Sequence, residues 1–328
     1  MLISKLQKMN SKEHVFVSVD SAQAEARVIF LLANDEQALK DIDEHDYHAL
    51  TASWFFGGTE DDYSKKKLGY ESPIRFAGKT LRHAGHLGAG KRRAAISVNT
   101  DARRFKVDIR ITESIAERAL KIFHSRQPKI QQVFQAGIVE CLKNTRRLVA
   151  GLPYGISAPI GGKRTFFERW GDELFRQAFS YIPQRSVSDN TKAAAIRTKK
   201  QFPECKIIME AHDGLLFTLR REYVNDFASI IKREMERPID FTSCSLNRRH
   251  LRIPCEIEIG DTYLDLKKFK LPDIAPVKEA IVMKPMTLAE RMMSATIDLP
   301  EQYDHIQEKI LDAQLDEAVR KNKFIIEG

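Results

Sequence analysis

Residues 15–27 constrain the rest of this chain more than any other stretch. The apolar run from Val15 to Val19 predicts a buried β-strand, and it ends on Asp20. An amphipathic segment starts directly after it and predicts a helix. A carboxylate at such a strand–helix junction is well placed to bind a metal ion, but this stretch alone favours the simpler role of N-cap of the helix. Other parts of the sequence have to decide between these two interpretations.

A second carboxylate, Asp213, lies at the tip of a predicted hairpin whose strands are 206–211 and 215–219. Neighbouring strands of one sheet can bring Asp20 and Asp213 close together. Two such carboxylates would hold two Mg²⁺ ions, because Mg²⁺ needs only one or two carboxylates and takes its other ligands from phosphates and water. We therefore favour a metal site at these residues over two unrelated turn or cap positions.

A cationic helix face is predicted between Ile74 and about Leu87. Arg75, Lys79 and His83 are spaced by four residues, so they lie on one side of a helix. Nothing acidic stands among them in the sequence, and we expect this unpaired face to bind a phosphate chain through bidentate Arg and point-charge Lys contacts. The alternative is a solvated basic face without a ligand.

Charge and composition agree with a polyanionic partner. The 328 residues carry a formal net charge of +8, which favours nucleic acid without establishing it. Four scattered cysteines without a C-x-x-C pair indicate neither a zinc site nor a disulfide framework. The N-terminus lacks a signal-peptide apolar region, and no apolar run reaches membrane-spanning length. We therefore expect a cytoplasmic protein.

Further helices are predicted at 167–179 and from about 188 to 201.

Taken in order, the motifs resemble the polymerase domain of family A DNA polymerases, the bacterial DNA polymerase I group. The segment Asp20-Ser-Ala-Gln-Ala-Glu-Ala-Arg27 is similar to the family motif D-Y-S-Q-I-E-L-R, and Arg75-x-x-x-Lys79 is similar to R-x-x-x-K-x-x-x-F/Y-x-x-x-Y-G. The segment Met209-Glu-Ala-His212-Asp213 is similar to Q-V-H-D-E. Arg176-Gln-Ala-Phe179, together with Pro183-Gln184, is similar to R-x-A-x-N-x-P-x-Q. The resemblance covers about residues 14–269.

This resemblance implies an α+β fold. It would consist of a polymerase palm, an antiparallel sheet with flanking helices, and a helical fingers insertion, with the thumb absent. The implied domains are 1–60 (first part of the palm), 61–150 (fingers), 151–270 (second part of the palm) and 271–328 (an appended helical tail).

The resemblance also implies roles for residues at matching positions. The metal ligands would be Asp20, Asp213 and the backbone carbonyl of Ser21, holding two Mg²⁺ ions with Mn²⁺ as an alternative. Catalysis would use Asp20, Asp213 and Lys79. The dNTP would contact Ser21, Gln23, Glu25, Arg75, Lys79 and His83, and the primer–template DNA would contact Arg176, Gln184 and His212. Glu25 would be the steric gate against a ribose 2′-hydroxyl, and basic residues between Lys91 and Arg110 would contact the DNA backbone.

Five positions depart from the family pattern. His83 replaces Phe or Tyr, Leu87 replaces Tyr, and Gly214 replaces an auxiliary carboxylate. Ser21 replaces a Tyr, and Ser180 stands where an Asn is usual.

We expect a split polymerase of phage origin, in which this chain is the C-terminal catalytic subunit for DNA replication. A separate N-terminal chain would carry the thumb and exonuclease. The alternative is a non-catalytic nucleic-acid-binding or scaffold subunit on the same fold. An RNA polymerase or primase is disfavoured by Glu25.

Overall fold

The computed structural model describes residues 13–150, 152–153, 162–211, 213–241 and 250–271. The tail predicted at 271–328 lies outside the described residues except for its first position, and so does His212. Within the described ranges, no helix has both the length and the apolar character needed to cross a membrane.

Along the chain, one strand is followed by a long helical region and then by a region rich in strands. The strands in the described residues are β1 (His14–Ser21), β2 (Arg147–Val149), β3 (Leu152–Pro153), β4 (Lys163–Thr165), β5 (Lys206–Ala211), β6 (Gly214–Arg220), β7 (Ile239–Asp240), β8 (His250–Leu251), β9 (Cys255–Gly260) and β10 (Lys267–Lys268). The helices are α1 (Ala24–Leu32), α2 (Glu36–Glu44), α3 (Tyr47–Phe56), α4 (Lys65–Leu68), α5 (Pro73–His86), α6 (Lys91–Phe105), α7 (Glu113–Arg126), α8 (Ala136–Thr145), α9 (Asp172–Gln201) and α10 (Val224–Met235). A π-helical turn (Ile130–Gln135) precedes α8, and a 3₁₀ turn (Arg221–Tyr223) precedes α10.

The main sheet is antiparallel and has the strand order β10-β9-β1-β6-β5. Its central strand β1 pairs with β6 on one side and with β9 on the other. Val15, Val17 and Val19 alternate along β1 and are buried, so they point to one face of the sheet. Phe227 of α10 packs on that face, with its ring centre 4.9 Å from that of Phe217 on β6. The opposite face of β1 carries the buried Phe16 and then the polar residues Ser18 and Asp20.

The helices after β1 form a second, larger apolar core. Phe30, Tyr47 and Phe123 are among its fully buried aromatic side chains. Helix α5 lies unusually close to α3, because a Cβ placed on Gly78 would be only 2.8 Å from the Cβ of Ala52. Only glycine permits such an approach, and the contact fixes the position of α5 relative to the rest of this core.

The predicted α+β class is confirmed, as are the first strand, the 206–219 hairpin and the helix beginning near residue 74. Two predictions were wrong. The helices expected at 167–179 and 188–201 are one 30-residue helix, α9, which begins only at Asp172 and continues through Pro183. Ile182 and Pro183 are buried, so packing on both sides offsets the backbone hydrogen bond that proline cannot donate. The basic segment 88–110 also contains a helix, α6, which was not predicted.

Candidate active site

The two predicted carboxylates meet at one end of the main sheet. Asp20, near the end of β1, pairs with Gly214 at the start of β6, and Asp213 directly precedes Gly214. The backbone amide of Ser21 donates a hydrogen bond of 3.3 Å to the carbonyl of Asp213, and the side chains of Asp20 and Asp213 are in hydrogen-bonding contact. Asp20 does not cap α1, because the N-cap residue is Gln23.

This pairing changes the acidity of Asp20. Partial burial raises the pKa of Asp20 to about 6, helped by the charge of Asp213, by the hydrogen bond to it and by the charge of Glu256; the cation of Lys79 acts in the opposite direction. Two carboxylates in contact disfavour ionising together. A divalent cation between them would remove that penalty.

Two glutamates on β9 belong to the same cleft and were missed by the sequence analysis. Glu256 lies directly opposite Asp20 in the β1–β9 register, and Glu258 lies opposite Ser18. Together with Gly214 they line a cleft of about 280 Å³. The signal was present, because apolar and acidic residues alternate along β9 and both glutamates must therefore point to the same face.

The absence of a side chain at Gly214 is explained by the closeness of the two strands. A Cβ at this position would lie 3.0 Å from Oδ1 of Asp20 and 3.2 Å from the carbonyl oxygen of Val19. Any larger residue would have to push the Asp20 carboxylate aside. Gly214, where the family pattern has a carboxylate, therefore leaves room for the direct contact between Asp20 and Asp213.

The donor set fits Mg²⁺ better than a soft or tightly caged metal. Within the described ranges, no three or more His, Cys, Asp and Glu side chains are grouped as a ready-made metal site. Mg²⁺ does not require one, since it binds through one or two carboxylates and completes its shell with water and phosphate oxygens. Asp20 and Asp213 supply hard oxygen donors whose mutual repulsion favours a cation.

Arg75 contradicts the expectation of an unpaired cationic face. Its guanidinium donates to both carboxylate oxygens of Asp46 at 3.0–3.1 Å and to Glu71 at 2.8 Å. The Arg75 side chain is only 12% exposed. Asp46 also accepts from the backbone amide of Ala49 as the N-cap of α3. Local sequence pattern could not predict this pair, because Asp46 lies 29 residues before Arg75.

The remaining residues of the α5 face lie beside the β1–α1 junction. Lys79 is exposed, and its charge reaches Asp20, whose pKa it lowers. The imidazole Nδ1 of His83 is 3.9 Å from Oε2 of Glu25. Oε1 of Gln23 accepts a hydrogen bond of 3.1 Å from the buried Arg82. Helix α5 is thus tied to the segment that carries Asp20.

The surroundings of His83 favour its neutral imidazole form. Desolvation lowers its pKa, and the cations of Arg82 and Lys79 lower it further. A neutral ring has a face available for stacking and can still hydrogen-bond at its edge. The cations of this face are therefore Arg75, which is already paired with Asp46 and Glu71, and the exposed Lys79.

The predicted DNA contacts are divided between described and undescribed residues. Arg176 and Gln184 both lie on α9, separated by about 12 Å along the helix axis. Gln184 is exposed and Arg176 is partly exposed. His212 lies outside the described residues. The contacts of all three with DNA stay predictions.

Comparison with known proteins agrees with the motif resemblance. DNA polymerase I of Borreliella burgdorferi is 24% identical over 263 residues, which is 76% of this chain and 25% of that protein. DNA polymerase I of Caldicellulosiruptor bescii is 22% identical over 261 residues, again 76% of this chain and 26% of that protein. The chain thus spans about a quarter of the length of these curated relatives.

A solved structure and a family model add to this. The structure described as the POL domain of Pol1 from M. smegmatis in complex with DNA primer-template and dNTP matches with a TM-score of 0.56 and 15% identity, covering 76% of this chain and 40% of that one. This likeness supports the palm-and-fingers type of α+β fold. The model of DNA polymerase family A matches residues 3–265, most of the chain. On that match, the chain belongs to DNA polymerase family A.

Proposed function

We propose that this chain carries out template-directed DNA synthesis, the transfer of a nucleotide from a dNTP to a primer 3′-hydroxyl. The observation that carries the proposal is the contact of Asp20 and Asp213 at the end of β1, within reach of the Lys79 charge. The POL domain of Pol1 from M. smegmatis, which has a similar fold, is in complex with primer-template DNA and dNTP. The same two ligands are proposed for this chain.

The two aspartates and the carbonyl of Ser21 would hold Mg²⁺, two ions in the proposed mechanism, with Mn²⁺ as a substitute. The chemistry supplied by such ions is activation of the primer hydroxyl and neutralisation of the triphosphate charge. The protein itself contributes a rigid strand end, because β1 is paired on both sides. A rigid strand end holds the carboxylates in place without further reorganisation.

The α5 face would bind the triphosphate. Lys79 is exposed and can place its ammonium group against a phosphate oxygen, then give a proton to the departing pyrophosphate. Arg75 would contribute a guanidinium whose orientation is already set by Asp46. His83 would stack on the incoming base. Glu25, 3.9 Å from His83, would exclude a ribose 2′-hydroxyl.

The assignment of residues 1–60 and 151–270 to the palm and of 61–150 to the fingers is part of this proposal. Arg176, Gln184 and His212 would contact the primer–template near the reacting end, with Gln23 beside the dNTP. A separate N-terminal chain, a phage origin and action in the host cytoplasm stay predictions from the sequence. Copurification of a second polymerase polypeptide from the native source would support the first of these, and processive synthesis by this chain alone would contradict it.

The proposed activity is tested by primer extension with Mg²⁺ and all four dNTPs. We expect extension by the wild-type chain and a loss of about 10³-fold or more in Asp213→Asn, since a metal ligand supplies several kcal/mol of transition-state stabilisation. Asp226→Asn, on α10 away from the cleft, is the matched control and should retain activity. A wild-type chain that binds primer–template without extending it would favour the non-catalytic alternative.

Sugar selection is tested in the same assay. Glu25→Ala should raise the incorporation of rNTPs relative to dNTPs by about 10- to 100-fold, because a steric gate excludes a single added hydroxyl. Equal use of rNTPs and dNTPs by the wild-type chain would contradict the assignment of DNA synthesis.

A further inference from the structure

Two exposed aromatic residues lie between β4 and α9, apart from the site described above. The side chain of Phe167 is 83% exposed and that of Trp170 is 46% exposed. Aromatic residues of this size normally bury most of their surface, and contiguous exposed apolar area often marks an interaction site. Core packing does not account for either side chain.

The local chain direction explains why Phe167 points outward. Arg164 on β4 and Phe166 lie on one side, where the Arg164 guanidinium is 4.5 Å from the centre of the buried Phe166 ring. Residues alternate sides in extended backbone, so Lys163, Thr165 and Phe167 are on the other side. Lys163 and Phe167 are exposed, in agreement with this alternation.

One basic residue contacts the Trp170 ring, and others lie on the paired strands that lead to Phe167. The guanidinium of Arg146 is 5.1 Å from the centre of the Trp170 ring. Arg147 on β2 is paired with Thr165 of β4 and is exposed. Glu168 is neutralised by a 3.0 Å ion pair with Arg164. The segments 146–147 and 163–173 together contain five basic and three acidic residues, so the surface is cationic.

We propose that this aromatic platform, defined as Phe167, Trp170, Arg146, Arg147 and Lys163, binds unpaired nucleotides of single-stranded DNA. Flat exposed rings stack on bases, and cations beside them contact the phosphates. A duplex keeps its bases stacked on each other and offers few free base faces. Three of the five platform residues are cations, which match the phosphate charge of a nucleic-acid strand.

The platform is held firmly against the rest of the molecule. The ring of Trp170 meets that of Phe175 edge-on at 5.2 Å, and Phe175 stacks on Phe179 at 6.3 Å. Phe179 in turn contacts Gly88, just beyond α5, where a Cβ would lie 3.0 Å from the ring. Arg176, a proposed DNA contact, is next to Phe175 on α9. The platform therefore packs on the N-terminal part of α9, the helix that also carries Arg176 and Gln184.

Tryptophan fluorescence tests the platform directly, because the chain contains only two tryptophans, Trp54 and Trp170. In a Trp54→Phe variant, emission reports on Trp170 alone. Titration with an oligo-dT strand, without divalent ions or dNTPs, should quench this emission. The quenching should reach its plateau at the same DNA concentration at which fluorescence anisotropy shows that binding is saturated. Phe167→Ala should weaken binding about fivefold or more. Phe167→Tyr should preserve the affinity, whereas Phe167→Leu, which stays apolar but loses the ring, should not.

Matched variants separate stacking from general effects. Tyr70→Ala removes another exposed aromatic side chain, 59% exposed and outside the platform, and should bind like the wild type. Arg147→Gln with Lys163→Gln should weaken binding for all sequences and reduce its salt dependence. All of these side chains are exposed, so the fold should be retained, which circular dichroism can verify.

Saturated oligo-dT binding with unchanged Trp170 emission would overturn the proposal. Equal affinity of Phe167→Leu and wild type would overturn it as well, and would leave a protein partner as the occupant. The inference shares only its ligand class with the proposed function. If oligo-dT does not quench Trp170 emission but the chain extends primers, only the platform is refuted. If oligo-dT quenches the emission but the chain does not extend primers, only the proposed function is refuted.

Discussion

The sheet end and the α5 face lie next to each other but handle charge in opposite ways. At the sheet end, Asp20 and Asp213 are in contact, and burial together with this repulsion raises the pKa of Asp20 to about 6. On α5, Arg75 is held by acidic partners. Although burial opposes it, the hydrogen bonds and charge of Arg75 lower the pKa of Asp46. One region concentrates like charge, and the other pairs opposite charge.

This difference in charge pairing distinguishes residues that are available to a ligand from residues that also stabilise the fold. Charges in a folded protein are usually paired when they are removed from water. At the Asp20–Asp213 contact two carboxylates adjoin, and a divalent cation bound there would offset their repulsion. The Arg75–Asp46 pair obeys the general rule, so Arg75 serves the structure whether or not a phosphate is present. Lys79, which is exposed, is the α5 cation most available to a ligand.

The largest effect expected from this comparison of the two regions distinguishes Lys79 from Arg75. Lys79→Ala should lower kcat/KM for dNTP incorporation by about 100-fold, the usual cost of removing a group that stabilises transition-state charge, without changing the free energy of unfolding. Arg75→Ala should lower both quantities, because it leaves Asp46 without its cation. Single-nucleotide incorporation kinetics and urea unfolding measure the two effects. A stability loss in Lys79→Ala equal to that in Arg75→Ala would end the distinction.

The next effect isolates the Asp46 charge. Asp46→Asn keeps a good N-cap for α3 but weakens the charged hydrogen bonds to Arg75, and should cost about 1–2 kcal/mol of unfolding free energy. Glu71→Gln removes the other, more exposed partner of Arg75 and should cost less than about 0.5 kcal/mol. Urea unfolding of both variants checks this order, and a reversal would show that Asp46 is not the main anchor.

Site residues could be predicted from the sequence where a local pattern marks them, and not where they depend on partners far away in the chain. Asp20 and Asp213 stand at the ends of apolar runs, so local pattern alone located the strands and their carboxylates. Asp46 could not be found in this way, because its partner Arg75 is remote in the chain and meets it only through helix packing. For Glu256 the alternation along β9 gives its face, but only strand pairing places it opposite Asp20. Local pattern cannot supply such contacts.

The same limit applies to the helices. Pro183 is a strong local signal for a break, yet burial on both sides keeps α9 continuous. In α6, the density of Lys and Arg obscured an apolar stripe of Ala94, Val98 and Ala102, which are buried. In both cases tertiary packing decided the structure, and composition within a short window pointed elsewhere.

A smaller effect concerns stability at the sheet end. The folded state binds the Asp20 proton more tightly than the unfolded chain, so the metal-free protein should lose stability as pH rises from 3.8 to about 6. Above pH 6 this penalty is complete. Asp213→Asn should therefore stabilise the metal-free protein at pH 7, by less than about 1 kcal/mol because solvent screens Asp20. Thermal unfolding in EDTA measures it, and destabilisation by this variant would contradict the repulsion.

The smallest expected effect tests whether Glu256 belongs to the acidic group. In the metal-free protein, Glu256→Gln should lower the pKa of Asp20, but by less than Asp213→Asn does. Glu256 acts on Asp20 only through its charge, and Lys268 neutralises part of that charge through an ion pair of 2.8 Å. Carboxyl-carbon NMR titration gives the pKa directly.

Glu258→Gln is the matched control, because Glu258 occupies the same face of β9 but lies opposite Ser18. It should leave the pKa of Asp20 nearly unchanged. Equal shifts in the two glutamine variants would mean that Asp20 senses the general negative charge of the cleft. A shift confined to Glu256→Gln would mean that the β1–β9 register selects one glutamate, and that the like charge concentrated at the sheet end extends from two carboxylates to three.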